Sequence, residues 1–390
     1  MGRTSGRDLQ EKDGPMTGHY VSNQALPDFP LWKRADRKRL PLFFELELTA
    51  RCNNNCRHCY INLPAHDFQA RDQELSLQEI NHLADQALSL GSLWCLITGG
   101  EPLLRPDFSE IYLSLKKKGL LVSVFTNACQ ITEDQVRLFQ RYPPRDLEVT
   151  VYGVTPAVYE RVTRVPGSFQ AFQRGLNRLL EGGIKVRLKA MALRSNVDEL
   201  PAMAQYCRTH TRDYFRFDPL LHLRFDRDPS RNEEIRRERL SPEEIRRLDQ
   251  EDPERSQAIK KECAGELGER APLPNNPTIF QCGAGVGSFT IGYDGRFRLC
   301  SSLWDPDCLV DLRRVSLQEA WERLVPRVRS RTSSDPQFQS QCASCPLINL
   351  CLWCPAHAHL ETGRLDGWVE YFCEVAKARV AELNQISDDG

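Results

Sequence analysis

The chain has 390 residues, 41% of them hydrophobic, enough to bury a sizeable core and to form more than one domain. Its 52 Lys and Arg balance 53 Asp and Glu, so a formal charge of -1 supplies no global field for nucleic acid or an anionic membrane. No run reaches the roughly 18 apolar residues of a membrane span, and the start of the chain lacks the apolar stretch of a signal peptide, which points to the cytoplasm and away from a disulfide framework for the 15 cysteines.

Residues 1–40 are polar, show no sustained period and end in the basic LWKRADRKRLP, the composition of a flexible arm. From Pro41 strands and helices alternate. A strand is predicted at Leu42 to Leu48, then a helix opened by the Ser76 and Glu79 capping box and stopped at Gly91, and a strand at Trp94 to Thr98. The pattern continues with a helix near Asp107 to Lys118, a strand at Leu121 to Thr126, a helix capped by Thr132 with Gln135, and a strand at Leu147 to Val151. A helix from Ser168 to Leu180, a strand at Lys185 to Met191, a helix after Asp198 and a short strand at Tyr214 to Phe217 complete the series. Six βα units predict an α/β fold with a parallel sheet over 41–220, either doubly wound or curled into a partial barrel. Residues 221–275 read as a charged helical connector with a helix start at Ser241, Pro242 and Glu244, its arginines facing water. Residues 276–390 are rich in Cys, Gly and Pro.

Cys52, Cys56 and Cys59 form a CxxxCxxC array just after the first strand, at the end of the sheet where α/β folds bind ligands. Three thiolates leave one iron of a cubane cluster free for another ligand; the competing reading is a zinc site completed by His58 or His66. One βα unit later the second strand ends in Thr98-Gly99-Gly100-Glu101-Pro102, where the glycines allow close backbone approach and Glu101 can accept from an ammonium group. Seven more cysteines follow, at Cys282, Cys300, Cys342, Cys345, Cys351, Cys354 and Cys373, either in clusters or in a zinc ribbon.

The triad and the GGEP turn resemble those of the radical SAM superfamily over roughly residues 41–220. The resemblance implies a partial (β/α)6 TIM-type barrel, a 4Fe-4S cluster on Cys52, Cys56 and Cys59, and S-adenosyl-L-methionine chelated to its fourth iron and cleaved to methionine and a 5′-deoxyadenosyl radical. By the same resemblance Gly99, Gly100, Glu101 and Pro102 contact the methionyl amine and His58 lies beside the adenine, while Thr126, Asn127, Thr150 and Tyr152 match ribose and methionyl contacts more loosely. An external electron donor of flavodoxin or ferredoxin type is implied as well.

The later cysteines resemble a SPASM domain, a loop-rich extension over 276–390 that holds two auxiliary 4Fe-4S clusters. That likeness puts Cys282, Cys300 and Cys354 on an inner cluster and Cys342, Cys345, Cys351 and Cys373 on an outer one. This chain departs from the pattern at Leu352-Trp353, one residue short, and at Ser288, where a fourth inner thiolate often stands; that leaves either an open iron able to bind substrate or a ligand from elsewhere such as Cys308. Cys95, Cys129, Cys207 and Cys263 are expected as isolated buried residues, and His357 and His359 as surface groups or supports behind a ligand. Ser301 stands where sulfatase-maturing relatives place a catalytic Asp, which disfavours formylglycine formation. The leading expectation is maturation of a peptide, delivered by a separate leader-binding protein because the arm is too short for a winged helix. The alternatives are a small-molecule enzyme of the alternative haem-pathway type and a non-catalytic electron carrier or redox sensor.

Overall fold

The structure is a computed structural model that describes residues 38–211, 216–257, 259, 278–343, 345, 347, 351 and 353–387. Most of the expected flexible arm, Cys263 and the end of the connector lie outside the described residues. No helix among them is long and apolar enough to cross a membrane.

Six parallel strands follow the predicted order: β1 (Phe43–Glu47), β4 (Trp94–Thr98), β5 (Leu121–Thr126), β6 (Leu147–Val151), β7 (Arg187–Met191) and β8 (Arg216–Asp218). Two short strands, β2 (Arg51–Cys52) and β3 (Leu63–Pro64), lie between β1 and β4 and pair with each other. Capping boxes form at Ser76 with Glu79 and at Thr132 with Gln135, so the helix starts read from side-chain chemistry stand where expected. A helix that was not anticipated, Pro156–Thr163, is capped by Thr155 and carries Pro156 in its first turn.

Alternation along the strands sorts the residues into two environments. Phe44, Leu46, Cys95, Ile97, Val149, Val151, Leu188 and Ala190 enter the main core. Their neighbours Glu45, Leu96, Thr98, Thr150, Lys189 and Met191 line a cavity of about 390 Å³ on the opposite face. This is the arrangement of a curled sheet whose inner face is a binding site.

The C-terminal third continues that sheet. Strand β9 (Ser288–Ile291) runs parallel to β1 on its free edge, with Phe44 opposite Phe289, and β10 (Arg296–Arg298) and β11 (Val310–Asp311) add antiparallel strands beyond it. The Phe44 and Phe289 rings stack at 5.6 Å. Arg298 on β10 reaches across to Glu47 on β1, Nη2 to Oε2 at 2.5 Å, with both side chains fully buried and the guanidinium 3.7 Å from the Trp304 ring centroid.

The connector folds as two helices, Pro229–Glu238 and Pro242–Glu251, the second opened by the expected Ser241 capping box. The expectation that its arginines face water is overturned at several positions. Arg224 is buried against Asp226 and Asn62, Arg239 pairs with Glu361 beneath the Tyr371 ring, and Arg255 lies between Asp249 and the Phe217 ring. Each of these guanidiniums spends its donors on a carboxylate or carbonyl while its planar face covers an apolar surface, a use that charge density alone does not reveal.

Candidate active site

The three-cysteine loop is tied at several points. Pairing of β2 with β3 closes its ends, and Leu63 N donates to the Ala50 carbonyl at 2.8 Å. Its middle docks on the C-terminal end of the helix Pro156–Thr163, where Asn55 N and Arg57 N donate to the carbonyls of Thr163 and Val162, which have no partner within the helix. The connector holds it from the other side: Arg231 Nη2 donates to the Cys56 carbonyl at 3.1 Å and to Asn62 Oδ1 at 3.3 Å, and Arg224 Nη1 donates to Asn62 O and Oδ1. Burial, and then the Arg164 charge, depress the pKa of Arg231, and the Cys59 thiolate is among the groups that favour its charged form.

Cys52, Cys56 and Cys59 all line the cavity. Burial, then the neighbouring anions, raises Cys52 and Cys56 well above the ordinary thiol range, while Tyr152 hydrogen-bonds to Cys56 and eases its ionisation. Buried thiols that repel one another's charge call for a cation between them, so this donor set fits a metal cluster. Asn54 N and Asn127 Nδ2 point at the Cys52 sulfur from 3.4 and 3.7 Å.

The GGEP turn is bound to the segment leading into the loop. Gly100 N donates to the Thr49 carbonyl at 2.7 Å and Glu101 N to that of Arg51 at 2.9 Å. A Cβ on Gly99 would lie 2.3 Å from the Thr49 oxygen, and one on Gly100 2.2 Å from the Arg51 oxygen. The close approach that requires glycine is therefore to this backbone as well as to the cavity, which both glycines line.

Glu101 and Pro102 are buried and do not line the cavity. Glu101 instead accepts from Thr126 Oγ1 at 2.8 Å, Asn127 N at 2.7 Å and Leu103 N at 3.1 Å, and so fixes Thr126 and Asn127, which do line it. Burial pushes Glu101 up to about 7 against those three bonds. A carboxyl whose folded pKa exceeds its unfolded value destabilises the fold as pH rises from about 4.5 to about 7, by at most about 3 kcal/mol. Glu101→Gln, neutral throughout, is therefore expected to gain stability relative to the unaltered chain between pH 5.5 and pH 8, by about 2 kcal/mol in paired denaturant titrations; an unchanged difference would contradict a Glu101 pKa raised by burial.

Thr150, Tyr152 and His58 complete the expected wall, with the His58 and Tyr152 rings 5.3 Å apart. Burial lowers His58 to about 4, which leaves a neutral imidazole at neutral pH. His66 is exposed and outside the cavity. Residues that the sequence reading did not single out also line it: Glu45, Lys189, Asp218, His222 and Ser302. Lys189 Nζ lies 2.5 Å from Glu148 and 4.1 Å from the Phe125 ring centroid, and His222 Nδ1 meets Ser302 Oγ at 3.0 Å. Their signal was present in the strand alternation, which puts Glu45 and Lys189 on the same face as Thr98 and Thr150.

The remaining cysteines fall into two groups. Cys354 is raised to about 12 by burial and by Cys300 and Cys282; Cys342 is raised to about 12 by burial and by Cys351, Cys345 and Cys373. The second four share one small pocket beside Trp353 and Trp368. Among the described residues no three His, Cys, Asp or Glu side chains converge closely enough to hold a single metal ion. Cys308 is buried among Arg331, Asp305 and Asp307, and Ser288 opens β9 opposite Phe43. His359 is buried, not at the surface, with Nδ1 3.2 Å from Asp305. Cys95 and Cys207 are core residues as expected, whereas Cys129 is not isolated: it neighbours Cys56, and Asn54 Nδ2 lies 3.9 Å from its sulfur.

Residues 46–207 match the family described as the Radical SAM superfamily. The chain is 24% identical over 350 residues to the Fe-coproporphyrin III synthase of Methanosarcina barkeri, covering 84% of this chain and 86% of that protein. It is 23% identical to the AdoMet-dependent heme synthase of the same organism, covering 83% and 93%. Among solved structures it shares the fold of Streptococcus suis SuiB bound to its precursor peptide SuiA, with a TM-score of 0.62, 15% identity and coverage of 87% of this chain and 78% of that one.

Proposed function

We propose that this chain, a radical S-adenosylmethionine enzyme that uses a 4Fe-4S cluster and has the fold of SPASM-bearing relatives, abstracts hydrogen from a tetrapyrrole rather than from a peptide. The observation that carries this reading is the extent of the likeness to the two haem-pathway relatives, which covers 84% and 83% of this chain. Peptide maturation, the leading expectation from sequence, keeps as its support the fold shared with SuiB, at 15% identity, and stands second.

In this reading Cys52, Cys56 and Cys59 hold the S-adenosylmethionine-binding cluster. Gly99, Gly100, Thr126, Asn127, Thr150, Tyr152 and His58 form the wall against which the cofactor lies, with Glu101 and Pro102 behind it. When bound, the cluster supplies the electron that splits the sulfonium to methionine and a 5′-deoxyadenosyl radical. The chain's own part is to orient the substrate against that radical and to keep water from an indiscriminate oxidant. Cys282, Cys300 and Cys354 would hold an inner auxiliary cluster and Cys342, Cys345, Cys351 and Cys373 an outer one. A flavodoxin- or ferredoxin-type protein would deliver the first electron.

The test is an anaerobic incubation of the reconstituted chain with a low-potential reductant, S-adenosylmethionine, and either iron-coproporphyrin III, its metal-free form or a precursor peptide, followed by mass spectrometry. A porphyrin mass change in step with 5′-deoxyadenosine is the expected result. Deoxyadenosine formation that no tetrapyrrole stimulates, with every porphyrin recovered intact, would overturn it, and modification of the peptide would establish the second reading.

A further inference from the structure

Two of the connector's arginines, Arg224 and Arg231, lie beside the cysteine loop. Arg231, on the helix Pro229–Glu238, donates to the Cys56 carbonyl at 3.1 Å and to Asn62 Oδ1 at 3.3 Å. Asn62 Nδ2 itself approaches the Cys56 carbonyl at 3.5 Å, and buried Arg224 fixes Asn62 through its carbonyl and its side chain at 3.1 and 3.0 Å. Glu234 is the counter-charge: it lies 2.8 Å from Arg231 Nη1 and also pairs with Arg164. A second link, Phe225 N to the Tyr60 carbonyl at 3.0 Å, keeps the start of the connector on the same loop.

We infer that Arg231 sets the reduction potential of the cluster on Cys52, Cys56 and Cys59, as a positioning residue that places a fixed positive charge behind the Cys56 carbonyl. The inference rests on the assignment of that cluster and holds for either substrate. A cubane on three thiolates is an anion, and reduction adds one more negative charge. A guanidinium nearby stabilises the reduced form more than the oxidised one and raises the potential, and hydrogen bonding around the ligands acts in the same direction. Arg suits this place because its charge is permanent and its fork can reach the carbonyl, Asn62 and Glu234 at once. Glu234 offsets part of the charge, so the site contains its own opposing control.

The experiment is a redox titration of the reconstituted full chain followed by electron paramagnetic resonance. The triad cluster is identified as the signal that changes when S-adenosylmethionine is added, and the remaining signals serve as internal references. Arg231→Met is expected to move the midpoint of the S-adenosylmethionine-responsive signal to more negative potential, Arg231→Lys to stay near the unaltered chain, and Glu234→Gln to move it to more positive potential, with the reference signals unmoved. A role confined to holding the loop predicts no shift of opposite sign, so midpoints that stay put, or that move the same way in Arg231→Met and Glu234→Gln, overturn the inference. If Arg231→Met fails to take up the triad cluster, Glu234→Gln decides alone: a positive shift supports the charge effect and an unmoved midpoint overturns it. Absence of any S-adenosylmethionine-responsive signal in the unaltered chain overturns the cluster assignment and this inference together, whereas failure to modify a tetrapyrrole touches only the substrate.

Discussion

Replacing Cys52, Cys56 or Cys59 by Ala, one at a time, is expected to remove about four irons per chain and to reduce S-adenosylmethionine-dependent deoxyadenosine formation to background. The three sulfurs line one cavity. Cys129 is the informative control because it stands next to Cys56. Its sulfur lies 3.7 Å from the carbonyls of both Asn127 and Ser168, the surroundings of a thiol that donates, and burial raises it to about 11. Cys129→Ala should therefore keep the irons and the activity and change stability by about 1 kcal/mol. Iron and sulfide analysis beside product counting checks both halves, and a Cys129 variant that loses four irons would move the cluster's boundary.

Arg298→Met is expected to cost about 3–5 kcal/mol of stability, the largest single loss foreseen outside the cysteine loop. The substitution leaves Glu47 fully buried without its partner, while Met retains contact with Trp304. Burial already pushes Glu47 up to about 7 although Arg298 favours its ionised form. With the guanidinium gone the carboxyl is driven further towards protonation, so the loss grows as pH rises from 6 to 8. The double variant Glu47→Gln with Arg298→Met removes both charges and should recover most of the loss. Thermal or denaturant unfolding of the three variants at two pH values measures the coupling; additive losses would mean that the pair does not act as a unit.

The sequence made the barrel legible because its strands and helices carry strong local signals. Ser76, Thr132 and Ser241 mark helix starts through hydrogen bonds that need only three following residues, and the alternating strands are each five or six residues long in most cases. The helix Pro156–Thr163 was missed because it is short and begins three residues after Gly153, so it reads as part of the loop to the next helix. Strands β9 and β10 were missed for a related reason: four and three residues separated by a glycine turn show too little period, and the strand that β9 joins, β1, is at the other end of the chain. The site was legible where chemistry has a fixed spacing, as in the two cysteine arrays and the GGEP turn. It was not legible where function depends on packing. Nothing local distinguishes Arg224 and Arg231 from the other charges of the connector, or sets Glu101 behind the wall rather than in it.

The parallel join of β1 to β9 also has a consequence in time. Thr290 and Glu45 share a hydrogen bond across 245 residues of sequence. At a synthesis rate of roughly 5–20 residues per second, the first strand emerges about 10 to 50 seconds before the strand that covers its edge. During that interval the barrel has an unpaired edge and a wall still missing on the side of Glu45. Pairings of such long range close slowly and leave strand edges exposed to aggregation. The nascent chain thus carries an open β1 edge, beside the strand that leads into the first cysteine loop, until β9 has been made.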